Sequence, residues 1–225
     1  MQRNPISLAE IVGQPCVRHL ASYCEAVKLG NAASKCFLLE GPPGVGKTAS
    51  ALAVAEELGC HEGFAGGLFR INCARFGVTE ADQLIRDLRF SVSTPYRWRV
   101  VVLDEFERLS KECQINLKYH LGEENIPART VVIATSNRKA GLDEALLNRF
   151  KVMPFSNGES FKAACQERLK HLWSRHVHGE GMPMGASAWG RSFDGPGFSM
   201  RSALQSLDEA ITEHQENREH CCSAA

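Results

Sequence analysis

The stretch KCFLLEGPPGVGKTASALAVAEELG, residues 35–59, decides the fold. It opens with Cys36-Phe37-Leu38-Leu39, a short apolar run of the kind that forms a strand buried on both faces. Glycines at 41, 44 and 46 follow, and from Lys47 onward Ala and Leu dominate until Gly59, where a helix would stop. Strand, glycine-rich loop and helix are the frame in which GPPGVGKT (41–48), a match to G-x-x-x-x-G-K-[ST], holds a phosphate. The glycines let the backbone wrap the phosphate closely, and the loop amides and helix N-terminus aim positive charge at it. On this reading Gly41, Pro42, Pro43, Gly44, Val45, Gly46, Lys47, Thr48 and Ala49 form a nucleotide-binding loop. Lys47 reaches the β- and γ-phosphates of ATP, and the Thr48 hydroxyl binds Mg²⁺.

Outward from this core, short apolar runs alternate with helical patterns. LFRINC (68–73), RVVVLDE (99–105), RTVVIATSN (129–137) and KVMPF (151–155) read as strands. VTEADQLIRDLRF (78–90), SKECQINLKYHLGEE (110–124) and LDEALLNRF (142–150) read as helices. Thr79 with Asp82 is the expected capping pair of the first of these, and Ser110 the N-cap of the second. The alternation predicts an α/β fold with a parallel, doubly wound sheet covered by helices on both faces, and the phosphate loop makes it a P-loop NTPase. Ligands of such sheets bind at the carboxyl ends of the strands. There VVVLDEFERLS (100–110) ends a buried strand in two carboxylates. By itself the pair could be any solvated acids. Behind a phosphate loop, Asp104 is expected to hold Mg²⁺ and Glu105 to orient and deprotonate an attacking water.

The 225 residues include 44% hydrophobic and 23% charged, and Lys+Arg and Asp+Glu both total 26. Zero net charge gives no global sign of a polyanion binder, so a nucleic-acid surface would have to be local. No stretch approaches the roughly 18 apolar residues of a membrane span, and no signal peptide is evident, so the expectation is an intracellular, cytoplasmic protein, or a nuclear one in a eukaryote. The nine cysteines form no C-x-x-C pair and read as reduced thiols. His171, His176 and His178 read as a solvated helix end rather than a metal cluster.

After Phe155 the pattern changes. Residues 156–176 look helical, 177–198 are rich in glycine, and 199–215 are helical again. The expected domains are an ATPase core over 1–155, a helical lid over 156–215 and a loose tail over 216–225.

The adjacent Asp104-Glu105 after the phosphate loop, with this strand pattern, resembles the AAA+ ATPases over nearly all of 6–212. ISLAEIVGQ (6–14) looks like the family's N-terminal segment, which implies that Ile11 and Val12 lie against adenine. ATSN (134–137) resembles the first sensor, with Asn137 touching the γ-phosphate or the attacking water. LLNRF (146–150) looks like the arginine-finger box, with Arg149 reaching a neighbouring subunit's ATP. GFSMRSALQSL (197–207) resembles the second sensor, with Arg201 near the phosphates in cis. Within the family the likeness is to clamp-loader ATPase subunits, carried by RINCA (70–74) with Asn72 and by LSKECQINLKYHL (109–121) with Gln114 and Lys118. It implies a ring of AAA+ subunits, a sliding clamp and primer-template DNA as partners, Gln114 and Lys118 facing a DNA chamber, and Ala74–Phe90 facing the clamp. Clamp loaders usually carry Ser-Arg-Cys where this chain has Asn148-Arg149-Phe150, and they continue into a C-terminal collar that the sequence lacks. The competing expectations are a hexameric remodeller or helicase loader acting on proteins, and an ATP-bound switch with little turnover.

Overall fold

The computed structural model describes residues 7–63, 65–122, 125–138, 140–177 and 198–223. The Gly-rich stretch expected to join the two C-terminal helices falls mostly outside them. The chain divides into two compact units. The first holds nearly everything up to Phe155; the second holds Ser156 onward together with the short segments Val12–Gln14 and Pro43–Gly46.

In the first unit, α1 (Val17–Lys28) precedes β1 (Lys35–Glu40), and the phosphate loop leads into α2 (Lys47–Glu57). Then come β2 (His61–Glu62), β3 (Gly67–Asn72), α3 (Val78–Asp87), β4 (Arg99–Asp104), α4 (Lys111–His120), β5 (Thr130–Ser136), α5 (Glu144–Leu147) and β6 (Lys151–Pro154). The strands form one six-stranded sheet in the order β2-β3-β4-β5-β1-β6. Every pairing is parallel. The five strands expected from sequence are present, and β2, two residues long, is an addition at the edge.

Central position explains the composition of these strands. In β5 every residue is buried, and in β4 all but Asp104 are. Apolar side chains must therefore fill both faces, which is why the runs do not alternate. On one face Leu38, Val101, Leu103, Val132 and Ala134 pack with Leu84, Ile85 and Leu88 and with Cys113 and Leu117. Burying each large side chain contributes about 1.5–3 kcal/mol, so this stack stabilises the whole first unit.

Two local expectations are corrected. Helix α3 begins at Val78, not after a Thr79 cap: Gly77 is its N-cap residue, and Glu80 accepts the Gly77 N–H at 3.1 Å. Asp82 instead accepts from Asn116 Nδ2 at 2.9 Å, tying α3 to α4. Ser110 does cap α4, accepting from the Cys113 N–H.

In the second unit, α6 (Glu159–His176) and α7 (Met200–Ser223) pack together. Phe161, Cys165, Leu169 and Trp173 recur every four residues and are buried, as are Ala203, Leu207 and Ile211. This is the single apolar stripe of a surface helix. Helix α7 runs to Ser223, beyond Gln215, so residues 216–223 continue a helix where a loose tail was expected. Gln14 fastens the segment before α6: its amide donates to Ser156 O at 2.7 Å and accepts from Ser156 N at 3.0 Å.

Candidate nucleotide site at the strand ends

β1 delivers the chain to Gly41, whose N–H donates to Ser136 O at the end of β5. A Cβ at Gly41 would lie 2.2 Å from the carbonyl oxygen of Phe155, so only glycine fits. Gly44 has φ +76°, in the left-handed region that side chains disfavour. Within the second unit its Cβ position is occupied by Ser199, and its carbonyl accepts from the Met200 N–H at 2.9 Å. Val45 is buried beside Gln14, whose amide donates to the Val45 carbonyl.

Lys47 opens α2 and is only 7% exposed. Its ammonium donates to Gly41 O and Pro42 O, both at 2.7 Å, and to Asn137 Oδ1 at 3.0 Å. An ammonium has three donors, so this buried charge spends its capacity on oxygens that surround the loop. Arriving phosphate oxygens would exchange with them.

Beside Lys47, Thr48 Oγ1 donates to Asp104 Oδ1 at 2.9 Å. Parallel pairing brings Asp104 there: β4 lies next to β5, and β5 next to β1. A hydroxyl and a carboxylate in contact are hard oxygen donors, the set Mg²⁺ takes alongside substrate phosphates, so Thr48 and Asp104 fit that ion.

Glu105 follows in a left-handed conformation, φ 56° and ψ 47°, unusual for a non-glycine residue. The turn it makes starts the 3₁₀ segment Phe106–Arg108. Its carboxylate is partly exposed and lies 3.5 Å from Arg108 Nε, a surface pair worth little by itself.

Two residues that sequence reasoning passed over complete the site. Thr135, 3% exposed, donates its hydroxyl to Asp104 Oδ1 and accepts from the Glu105 N–H at 3.4 Å, so one oxygen touches both acidic residues. A polar residue closing a fully buried strand was the available signal, since buried hydroxyls take partners. Glu107, the third acid of DEFE, accepts from Asn137 Nδ2 at 2.9 Å and from the Asn137 N–H at 3.3 Å. Burial pushes the Glu107 carboxyl up, but hydrogen bonding, from its own backbone N–H and from Asn137 among others, outweighs it and holds the group below the usual range.

Asn72 ends β3 in register with Asp104 and accepts from the Ala74 N–H. Ile11 and Val12 are half-buried after a short 3₁₀ turn. Arg149 is exposed just after α5. Arg201 is exposed in the first turn of α7, in the second unit. Gln114 departs from expectation. It is 4% exposed, donates to Leu109 O and Gly141 O, and accepts from the Asp143 N–H at 2.8 Å. It therefore faces the interior, where it joins α4 to the start of α5. Lys118 lies 3.7 Å from Asp143 on the same seam. Among the described residues no group of His, Cys, Asp and Glu could hold a metal by itself, and no helix is long and apolar enough to cross a membrane.

Comparison with known proteins agrees with this geometry. The profile of the family described as "ATPase family associated with various cellular activities (AAA)" matches residues 37–156. The replication factor C small subunit of Methanosarcina mazei is 26% identical over 177 residues, covering 75% of this chain and 48% of that protein. Spastin of Dictyostelium discoideum is 29% identical over 174 residues, covering 66% of this chain and 25% of that one. Among solved structures, the Holliday junction branch migration motor RuvB of Thermotoga maritima superposes with a TM-score of 0.57 at 24% identity, covering 76% of this chain and 54% of that chain. That likeness is one of fold. The chain spans about half the length of the replication factor C subunit and of the RuvB chain.

Proposed function

The chain belongs to the AAA family of ATPases, and from that premise we propose that it binds ATP with Mg²⁺ and hydrolyses it inside an oligomeric ring. The observation that carries the reading is the meeting of Lys47, Thr48, Asp104 and Asn137 at the ends of three adjacent strands. Lys47 and the loop amides would hold the β- and γ-phosphates. Thr48 and Asp104 would hold Mg²⁺, which supplies charge neutralisation at the phosphate oxygens. Glu105 would take a proton from the attacking water, and Asn137 would help to position that water. Arg149, exposed after α5, is available to a neighbour's site, and Arg201 is the candidate for the phosphates in cis. Phosphoryl transfer is mainly positioning and electrostatics, so removing any of these groups should be felt.

The work we propose is loading of a sliding clamp on primer-template DNA, supported by the likeness to the replication factor C small subunit. A second reading, remodelling of protein partners, gains from the buried Gln114, which is withdrawn from any DNA-facing surface, and from the likeness to spastin. Steady-state ATPase of the sized, ATP-bound oligomer separates the two. Stimulation by primed DNA with a clamp supports clamp loading, whereas stimulation by a protein substrate alone supports remodelling. Glu105→Gln should keep ATP binding and lose turnover by about 10²-fold or more. Near-normal turnover in that variant would sink the assignment of Glu105.

A further inference from the structure

Asn137 stands between two groups that can each play only one part. A lysine ammonium donates and never accepts, and an ionised carboxylate accepts and never donates. Lys47 donates to Asn137 Oδ1, while Asn137 Nδ2 and the Asn137 N–H both converge on Glu107 Oε1. The two ends of an asparagine amide are usually told apart only by their partners. Here the partners leave no choice. Turning the amide over would press its NH₂ against the ammonium and its oxygen against the carboxylate. Glu107 stays ionised, since its hydrogen bonds outweigh the effect of burial.

We propose that Glu107 is a positioning residue that locks Asn137 with its carbonyl oxygen toward the nucleotide, so that Asn137 acts as an acceptor for the attacking water and not as a donor to the γ-phosphate. The proposal rests on the ATPase reading above. When phosphate oxygens take the Lys47 ammonium, Asn137 Oδ1 is left as an acceptor in need of a donor. Phosphate oxygens bear no proton, but water does. Asn137 then accepts one O–H of the water and leaves the other for Glu105. In the reaction the water oxygen bonds to the γ-phosphorus and the bond to the β,γ-bridging oxygen breaks. One water proton passes to the Glu105 carboxylate, the other stays on inorganic phosphate, and ADP leaves.

The lock predicts a rescue that a merely structural contact would not give. Asn137→Asp sets a second carboxylate against Glu107. Adding Glu107→Gln lets the new glutamine amide donate to one oxygen of that aspartate while the other still faces Lys47. The test measures kcat, binding of a fluorescent ATP analogue and a thermal melt for the whole chain as wild type, Glu107→Ala, Asn137→Asp and the double variant. Glu107→Ala should lower kcat about 10- to 100-fold while analogue affinity stays within about threefold, as expected for lost positioning. The double variant should turn over at least about 10-fold faster than Asn137→Asp alone, by the same restoration of alignment. Full turnover in Glu107→Ala, or a double variant no better than Asn137→Asp, overturns the lock while leaving the ATPase reading intact. A wild-type chain that turns over no ATP, alone or with DNA, clamp or protein partners, overturns both.

Discussion

At the scale of single residues, Asp104, Glu105 and Asn137 are each held by a neighbouring side chain. Thr135 holds Asp104 with its hydroxyl proton and the Glu105 backbone with its lone pair. Thr135→Val keeps the shape and removes both bonds, leaving a part-buried N–H and one carboxylate oxygen short of a partner. The expected cost is about 1–3 kcal/mol, read from the urea midpoint, together with a fall in kcat; Thr135→Ser should retain most of both. Glu107 carries a pH signature. Its carboxyl is depressed in the folded chain, so its contribution is fully present above the unfolded value near 4.5 and is lost as pH falls through the lower folded value. Acid titration of wild type against Glu107→Gln should therefore show curves that differ above about pH 4.5 and converge below it. Lys47, Thr48 and Asp104 were readable from sequence because glycine spacing and an acid at a strand end are local patterns. Thr135 and Glu107 were not, because their meaning lies in partners distant in sequence, 31 and 30 positions away.

At the scale of elements, the seam between α4 and α5 turns on one buried amide. Gln114 satisfies Leu109 O, Gly141 O and the Asp143 N–H, and Asp143 in turn caps α5 by accepting from the Leu146 N–H. Gln114→Leu fills the same space and orphans those groups, so we expect a loss of about 1–3 kcal/mol for the Asp143 N–H alone. Hydrogen exchange at the Asp143 and Leu146 amides should accelerate while amides of β4 stay protected; unchanged exchange at both would remove Gln114 from that role. Arg149 lies two residues beyond the end of α5, so the same variant should also weaken any catalysis that depends on it in an assembled ring. Helix α4 was legible in sequence through its Ser110 cap. The inward turn of Gln114 was not, because a glutamine on a polar-looking helix has the same periodicity whether it meets solvent or a neighbouring loop. The α3 cap was misread for a related reason: a threonine followed by an acid fits the capping pattern, and only the backbone at Gly77 tells which turn comes first.

At the scale of the whole molecule, seven cysteines share one condition. Cys16, Cys24, Cys36, Cys60, Cys73, Cys113 and Cys165 are free and buried. Burial pushes the thiols of Cys24, Cys36, Cys60 and Cys165 up to about 12. Thiolates are the reactive form, so these four, and the other three through burial alone, should not react with a thiol reagent at neutral pH until the chain unfolds. Mass spectrometry after a brief pulse of reagent gives the count. The parallel sheet also imposes an order of events. β1, which leads into the phosphate loop, has β5 and β6 as its two neighbours in the sheet, and these are its last strands. Lys47 and Asn137 are 90 positions apart, which at cellular rates of synthesis is roughly 5–20 s. Throughout that interval a nascent chain carries Cys36-Phe37-Leu38-Leu39 with both edges unpaired, an invitation to aggregate. A fragment ending at residue 128 should be insoluble and blind to ATP, whatever its phosphate loop. On the ribosome the first motif to be written is among the last to be made.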